Sequence, residues 1–243
     1  MDDLRDKTVI VTGAAGGIGQ AIVERFRSAG SRVIAVDIDT TRLAHLAGDN
    51  QVELVEADVS DGADADRIIA AATGRLDVLI NNAAVLDRLA PVDETTDEQW
   101  RHVLEINLTG PFLLCARAVP RMLEQGGGVI VNIGSLAALR GGRAGAAYTA
   151  SKHGLLGLTK NIAATLGNRG IRANTLCPGG IPTGMPRGGQ VSERGATLSG
   201  RDRDRPGPGK PEEIASVAAF LASDESSRIN GAELAVDGGS SAF

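Results

Sequence analysis

The chain is 243 residues long, 42% hydrophobic and 23% charged, with a formal net charge of −5, a composition able to bury one sizeable core. That balance leaves no basic excess for nucleic acid or anionic lipid, no apolar run nears the ~18 residues of a membrane span, and residues 1–7 are too charged for a secretory signal. We therefore expect one cytoplasmic domain, residues 1–243, with no nucleic-acid or membrane partner.

In chain order, short β-branched runs alternate with longer helical patterns. Residues 8–12 read as a buried strand and 19–29 as the helix after it; strands follow at 32–37, 52–55 and 76–80. A long helix is expected over 97–122, then a strand at 129–133, a helix at 146–166, a strand at 171–175, a helix at 211–222 and a last strand at 233–236. With only 2% aromatic residues the core must be packed from Ala, Val, Ile and Leu, which suits buried parallel strands. The alternation predicts an α/β, doubly wound parallel sheet of about seven strands, with helices on both faces in three α/β/α layers.

Residues 184–210 break the rhythm with seven Gly, three Pro and five Arg against four apolar side chains, and are expected to form a substrate lid loop. Arg187, Arg194, Arg201, Arg203 and Arg205 there would suit an anionic substrate, or a solvated face partly balanced by Glu193, Asp202 and Asp204.

The first strand runs into Thr12-Gly13-Ala14-Ala15-Gly16-Gly17-Ile18-Gly19, followed at once by a helix. Glycine at these points lets the backbone turn tightly and approach a pyrophosphate, whose charge faces the unpaired N–H groups of the helix N-terminus. Asp37, at the tip of the second strand, can accept hydrogen bonds from both hydroxyls of an adenosine ribose. Its charge would repel a 2′-phosphate, so the Rossmann-type turn is expected to bind NAD in preference to NADP.

Tyr148 is the only tyrosine, and Lys152 stands four residues after it on the same face of an expected helix. A neighbouring ammonium favours the phenolate, which would fit the pair for proton exchange with an alcohol or ketone; the plainer reading is a half-buried tyrosine with a satisfied hydroxyl. Cys115 and Cys177 are expected to be buried free thiols, and the three histidines form no metal-ligand spacing.

With both motifs present, the sequence resembles the single-domain branch of the short-chain dehydrogenase/reductase family over nearly its whole length. The glycine turn supplies Gly13, Gly17, Ile18 and Gly19 to the cofactor, and Asp58 and Val59 fall where that family meets the adenine ring. Asn81-Asn82-Ala83-Ala84 fits the turn after the fourth strand, bringing Asn81 and Ala83 to the cofactor, with alanine in place of the usual final glycine. Pro178-Gly179-Gly180-Ile181-Pro182-Thr183 resembles the segment that cradles the nicotinamide, with Pro178, Gly179, Ile181 and Thr183 in contact, and Val236-Asp237-Gly238-Gly239 the closing strand.

The resemblance implies a catalytic set of Ser135, Tyr148, Lys152 and Asn107. Tyr148 would be acid and base, Lys152 would lower its pKa and hold the nicotinamide ribose, Ser135 would orient the substrate oxygen, and Asn107 would hold a relay water. It also implies a homotetramer and an NAD-dependent interconversion of secondary alcohols and ketones. A 3-oxoacyl thioester reductase and a non-enzymatic nucleotide sensor on the same fold remain the alternatives.

Overall fold

The computed structural model describes residues 2–185, 190–199 and 207–242. Seven strands form one sheet in the order β3-β2-β1-β4-β5-β6-β7. They are β1 (Thr8–Thr12), β2 (Arg32–Asp37), β3 (Val52–Glu56), β4 (Val78–Asn81), β5 (Gly128–Ile133), β6 (Ile171–Pro178) and β7 (Glu233–Val236), and every neighbouring pair is parallel. The order reverses between β1 and β4, and in doubly wound sheets the ligand crevice opens beyond the carboxyl ends of the strands at that reversal.

All five residues of β1 are buried, and their side chains alternate between two cores: Val9 and Val11 into one, Ile10 into the other. On the first face pack α1 (Gly17–Ser28) and α7 (Pro211–Ala222), through Ile22, Phe26, Ile214 and Ala218. The second face carries α2 (Gly62–Ala71), α4 (Gly110–Glu124) and α5 (Ala146–Leu166), through Ile68, Leu114, Met122 and Ile162. Each of the fully buried Ile, Leu and Phe side chains contributes roughly 1.5–3 kcal/mol.

Four elements differ from the sequence reading. α2 was not expected, because its start, Gly62-Ala63-Asp64, masks it; Asp61 caps it by accepting from the amides of Ala63 (2.8 Å) and Asp64 (2.9 Å). The helix expected over 97–122 is α3 (Asp97–Leu104), one π-helical turn (Glu105–Thr109) and α4. β6 runs on to Pro178, because β7 pairs with residues 175–178. Within the expected lid loop, residues 193–199 form a short helix, α6 (Glu193–Ser199). Arg194 on it pairs with Asp93 and with Glu94 (3.4 Å). Residues 186–189 and 200–206 of the lid expectation, with Arg187, Arg201, Arg203 and Arg205, lie outside the described residues.

Candidate active site

Beyond the end of β1 the backbone turns at Gly13, which has a φ of +61°; a Cβ there would stand 2.7 Å from the Cα of Ala83. A Cβ on Gly19 would collide with the carbonyl oxygen of Gly13, so the turn and α1 meet backbone to backbone. The Thr12 hydroxyl accepts from the amides of Asn82 (3.0 Å) and Ala83 (3.1 Å), and Asn82 Nδ2 donates to the carbonyls of Thr12 and Gly13 (both 2.9 Å). These bonds lock the turn after β4 onto the glycine turn. The Ala84 departure carries no strain, since Asp6 and Leu89 are the non-glycine residues with positive φ among those described.

A groove of about 410 Å³ runs over this surface. Its walls include the expected Gly13, Gly17, Ile18, Gly19, Asp37, Asp58, Val59, Ala83 and Thr183, and also Arg42, which the sequence reading had not singled out. The groove suits a dinucleotide on one structural ground. Gly16, the N-cap of α1, offers no side-chain acceptor, so the helix opens onto bare backbone where a pyrophosphate would lie. In this conformation the Gly17 amide donates to the Thr183 carbonyl (3.3 Å), so the chain itself spans that end of the groove. Asp37 accepts from the amide of Ala15 (2.9 Å, Oδ2) and from that of Asp39 (3.2 Å, Oδ1).

Asn81 is placed differently from expectation. It is buried beneath the groove, where its Nδ2 donates to Asn132 Oδ1 (2.8 Å) and its Oδ1 has no partner. Asn82, its neighbour, reaches the groove instead. Pro178, Gly179 and Ile181 line a second cavity of about 650 Å³, with Ser135 on its wall and β7 behind it.

Ser135 follows β5, Tyr148 lies in the first turn of α5 and Lys152 one turn later; the Ser135 side chain lies near enough to the phenol to influence its pKa. Lys152 Nζ lies 5.5 Å from the phenol ring centroid and donates to the Ile133 carbonyl (2.8 Å). Tyr148 is 5% exposed and Lys152 2%. Burial pushes the phenol up to about 12, against the influence of the Ser135 side chain, which lowers it, and with the charge of Asp87, which raises it. The same burial pushes Lys152 down to about 8. In place of the expected lowering by Lys152, burial of the phenol dominates and the Ser135 side chain supplies the lowering influence.

Asn107 lies in the π-helical turn, fully buried. Its Oδ1 accepts from the Val85 amide (2.9 Å), and its Nδ2 donates to the Val85 carbonyl (3.0 Å) and to Ser151 Oγ (3.3 Å). π-Turns recur at functional sites because they displace one residue from the regular ladder. Cys115 and Cys177 are free and buried, as expected, with burial pushing Cys177 up to about 11 beside the Ser135 amide. Asp87, also buried, was missed; nothing in the sequence marks a loop carboxylate whose partners lie 58 and 61 residues away.

Residues 13–241 match the family profile described as enoyl-(acyl carrier protein) reductase. The chain is 41% identical to 3beta-hydroxysteroid dehydrogenase 2 of Eggerthella lenta over 99% of its own length and 96% of that protein's. It is 42% identical to D-threitol dehydrogenase of Mycolicibacterium smegmatis, over 97% and 93% of the two chains. Among solved structures, levodione reductase superposes with a TM-score of 0.88 at 34% identity, covering 98% of both chains. The chain thus belongs to the short-chain dehydrogenase/reductase family, as an oxidoreductase that interconverts alcohols and ketones with a nicotinamide cofactor.

Proposed function

We propose that the enzyme oxidises a secondary alcohol, or reduces the matching ketone, with NAD preferred, through Tyr148 as acid and base. The Ser135 side chain beside the Tyr148 phenol, with the Lys152 ammonium above the same ring, carries this reading. The groove lined by Gly13, Gly17, Asp37 and Thr183 would hold the nicotinamide cofactor, which would supply the hydride chemistry. Tyr148 Oη takes the hydroxyl proton during oxidation and returns it during reduction. Ser135 Oγ donates to the substrate oxygen and holds it in line. Lys152 supplies positive charge where the phenolate forms, and Asn107 connects the site to solvent.

The decisive variant is Tyr148→Phe. Loss of a well-placed acid-base group removes about 10²- to 10⁴-fold in rate, or about 3–5 kcal/mol of transition-state stabilisation, while cofactor binding survives. Wild-type turnover in that variant overturns the assignment.

NAD preference rests on Asp37 on the groove wall; Arg42 on the same wall pulls toward a 2′-phosphate. The names of the relatives span different substrates, so they support the alcohol–ketone class without choosing within it. A 3-oxoacyl thioester reductase is the second reading, favoured by the description of the matching profile. Rates on acyl thioesters against free secondary alcohols, each with NAD⁺ and NADP⁺ or the reduced forms, separate the two. We further propose a cytoplasmic homotetramer that pairs α4 and α5 across a two-fold axis, where the half-exposed Phe112 of α4 supports a buried contact; sedimentation equilibrium tests it.

A further inference from the structure

The helix that carries Tyr148 and Lys152 starts without a cap of its own. Its N-cap is Gly145, which has no side chain to accept from the first amides of α5. A glycine is required there, because a Cβ would run into the Asp87 carboxylate and stand 2.6 Å from the Ala90 amide. The acceptor comes instead from the loop after β4. Asp87 Oδ2 accepts from the amide of Tyr148 itself (2.9 Å), the third residue of the helix, and Oδ1 accepts from Gly145 (3.0 Å) and Leu89 (3.1 Å). Next to it, the Ala90 carbonyl accepts from Ala146 (2.9 Å).

We propose that Asp87 is the positioning residue for Tyr148: its carboxylate caps the catalytic helix from outside and holds the phenol against Ser135. The proposal rests on the acid-base reading of Tyr148 given above. Asp87 is 1% exposed, and its hydrogen-bond partners are backbone amides, so its charge is little screened from the helix start or the phenol. Other titrating or charged groups facing the phenol are Lys152 on the same helix and Cys177 at the end of β6. The remaining packing, from Val103 of α3, Ala137 after β5 and Met185 after β6, is apolar. Asp87 therefore does two things at once: it anchors the tyrosine's backbone, and its negative charge disfavours a second negative charge on the ring.

The chain's single tyrosine gives direct readouts. In the wild type, selective ¹⁵N-tyrosine labelling yields one amide resonance, expected to exchange slowly with solvent; rapid exchange overturns the proposal. Asp87→Asn keeps the size but removes the charge and turns an N–H toward an N–H on one side. Its kcat is expected to fall about 10- to 100-fold while NADH affinity stays within about two-fold. Ultraviolet difference titration should place its phenol midpoint at least about half a unit below the wild type. A purely structural cap would leave that midpoint in place. Gly145→Ala displaces the same carboxylate without deleting it, and is expected to lower kcat likewise. Wild-type kcat in either folded variant, or a wild-type midpoint in Asp87→Asn, sinks the inference. The midpoint does not depend on turnover, so it can fail while Tyr148→Phe still supports the acid-base reading, and the reverse.

Discussion

Replacing Lys152 with methionine is expected to stabilise the cofactor-free protein at pH 7 while removing its activity. The ammonium is 2% exposed, has the Ile133 carbonyl as its hydrogen-bond acceptor at 2.8 Å, and is pushed from 10.5 down to about 8 by burial. At about 1.4 kcal/mol per unit, that drop corresponds to roughly 3 kcal/mol weighing against folding while the group is charged. Stranding the Ile133 carbonyl offsets about 1–2 kcal/mol, which leaves a net gain of about 1–2 kcal/mol. For a chain of this length that is a rise in Tm of roughly 2–8 °C. The pH dependence has a definite sign. A lysine whose pKa is lower in the folded state leaves the unfolded chain holding the extra proton between about 8 and 10.5, so wild-type stability rises as pH passes 8. Cys115, Cys177 and Tyr148 act oppositely: raised to about 12, 11 and 12, they lose their contribution as pH climbs past the unfolded values of 9, 9 and 10. The lysine therefore stands alone between about pH 8 and 9. Thermal or urea melts of wild type and Lys152→Met, without cofactor, from pH 7 to 9 measure it. A wild-type Tm that is flat or falling from pH 8 to 9, or a variant less stable at pH 7, refutes the reasoning.

Asp37→Ala removes the charge on the groove wall and the acceptor for the Ala15 amide; the ratio of kcat/KM for NAD⁺ over NADP⁺ is expected to fall at least about tenfold, worth about 1.4 kcal/mol. An unchanged ratio would mean that Asp37 does not set the preference. Gly195→Ala probes the lid: a Cβ there would collide with the Leu89 carbonyl, so α6 must lift from the turn at residues 88–89, to which the Ser192 amide also donates (2.8 Å, Arg88 carbonyl). Substrate KM should rise several-fold while the melting temperature shifts little, because α6 contributes almost nothing to either core. Steady-state kinetics with unaltered KM would detach α6 from substrate binding.

Elements whose signal is local were legible. β1 and the strand after it announce themselves as short runs of Val, Ile and Ala, and Gly13 to Gly19 as a turn that side chains would block. α2 and α6 were not, because their first residues are Gly, Asp, Glu and Arg, and their helicity depends on a cap or on docking that periodicity does not encode. The π-turn at Glu105–Thr109 lay inside an unbroken helical pattern; what places Asn107 is its pairing with Val85, a contact 22 residues away.

The active site divides along the same line. Tyr148 and Lys152 are one helical turn apart, so the sequence reports their shared face, and Ser135 follows from its place at a strand end. Their protonation is set by things the sequence does not carry: how completely α3, the segments after β4 and β5 and Met185 bury the phenol, and where the Asp87 charge comes to rest. Reading Lys152 as the dominant influence on Tyr148 followed from spacing alone, which weighs the cation and ignores the solvent. Burial disfavours both charged forms, so it favours the protonated phenol and makes the ammonium give up its proton more readily than in water. Positive charge or a polar contact beside the phenol lowers its pKa, so oxidation rates of the cofactor complex should titrate at a lower pH than the free phenol does. A stopped-flow pH profile with NAD⁺ bound, set against the ultraviolet midpoint of the cofactor-free protein, measures that gap; coincident values would mean that desolvation does not govern the pair.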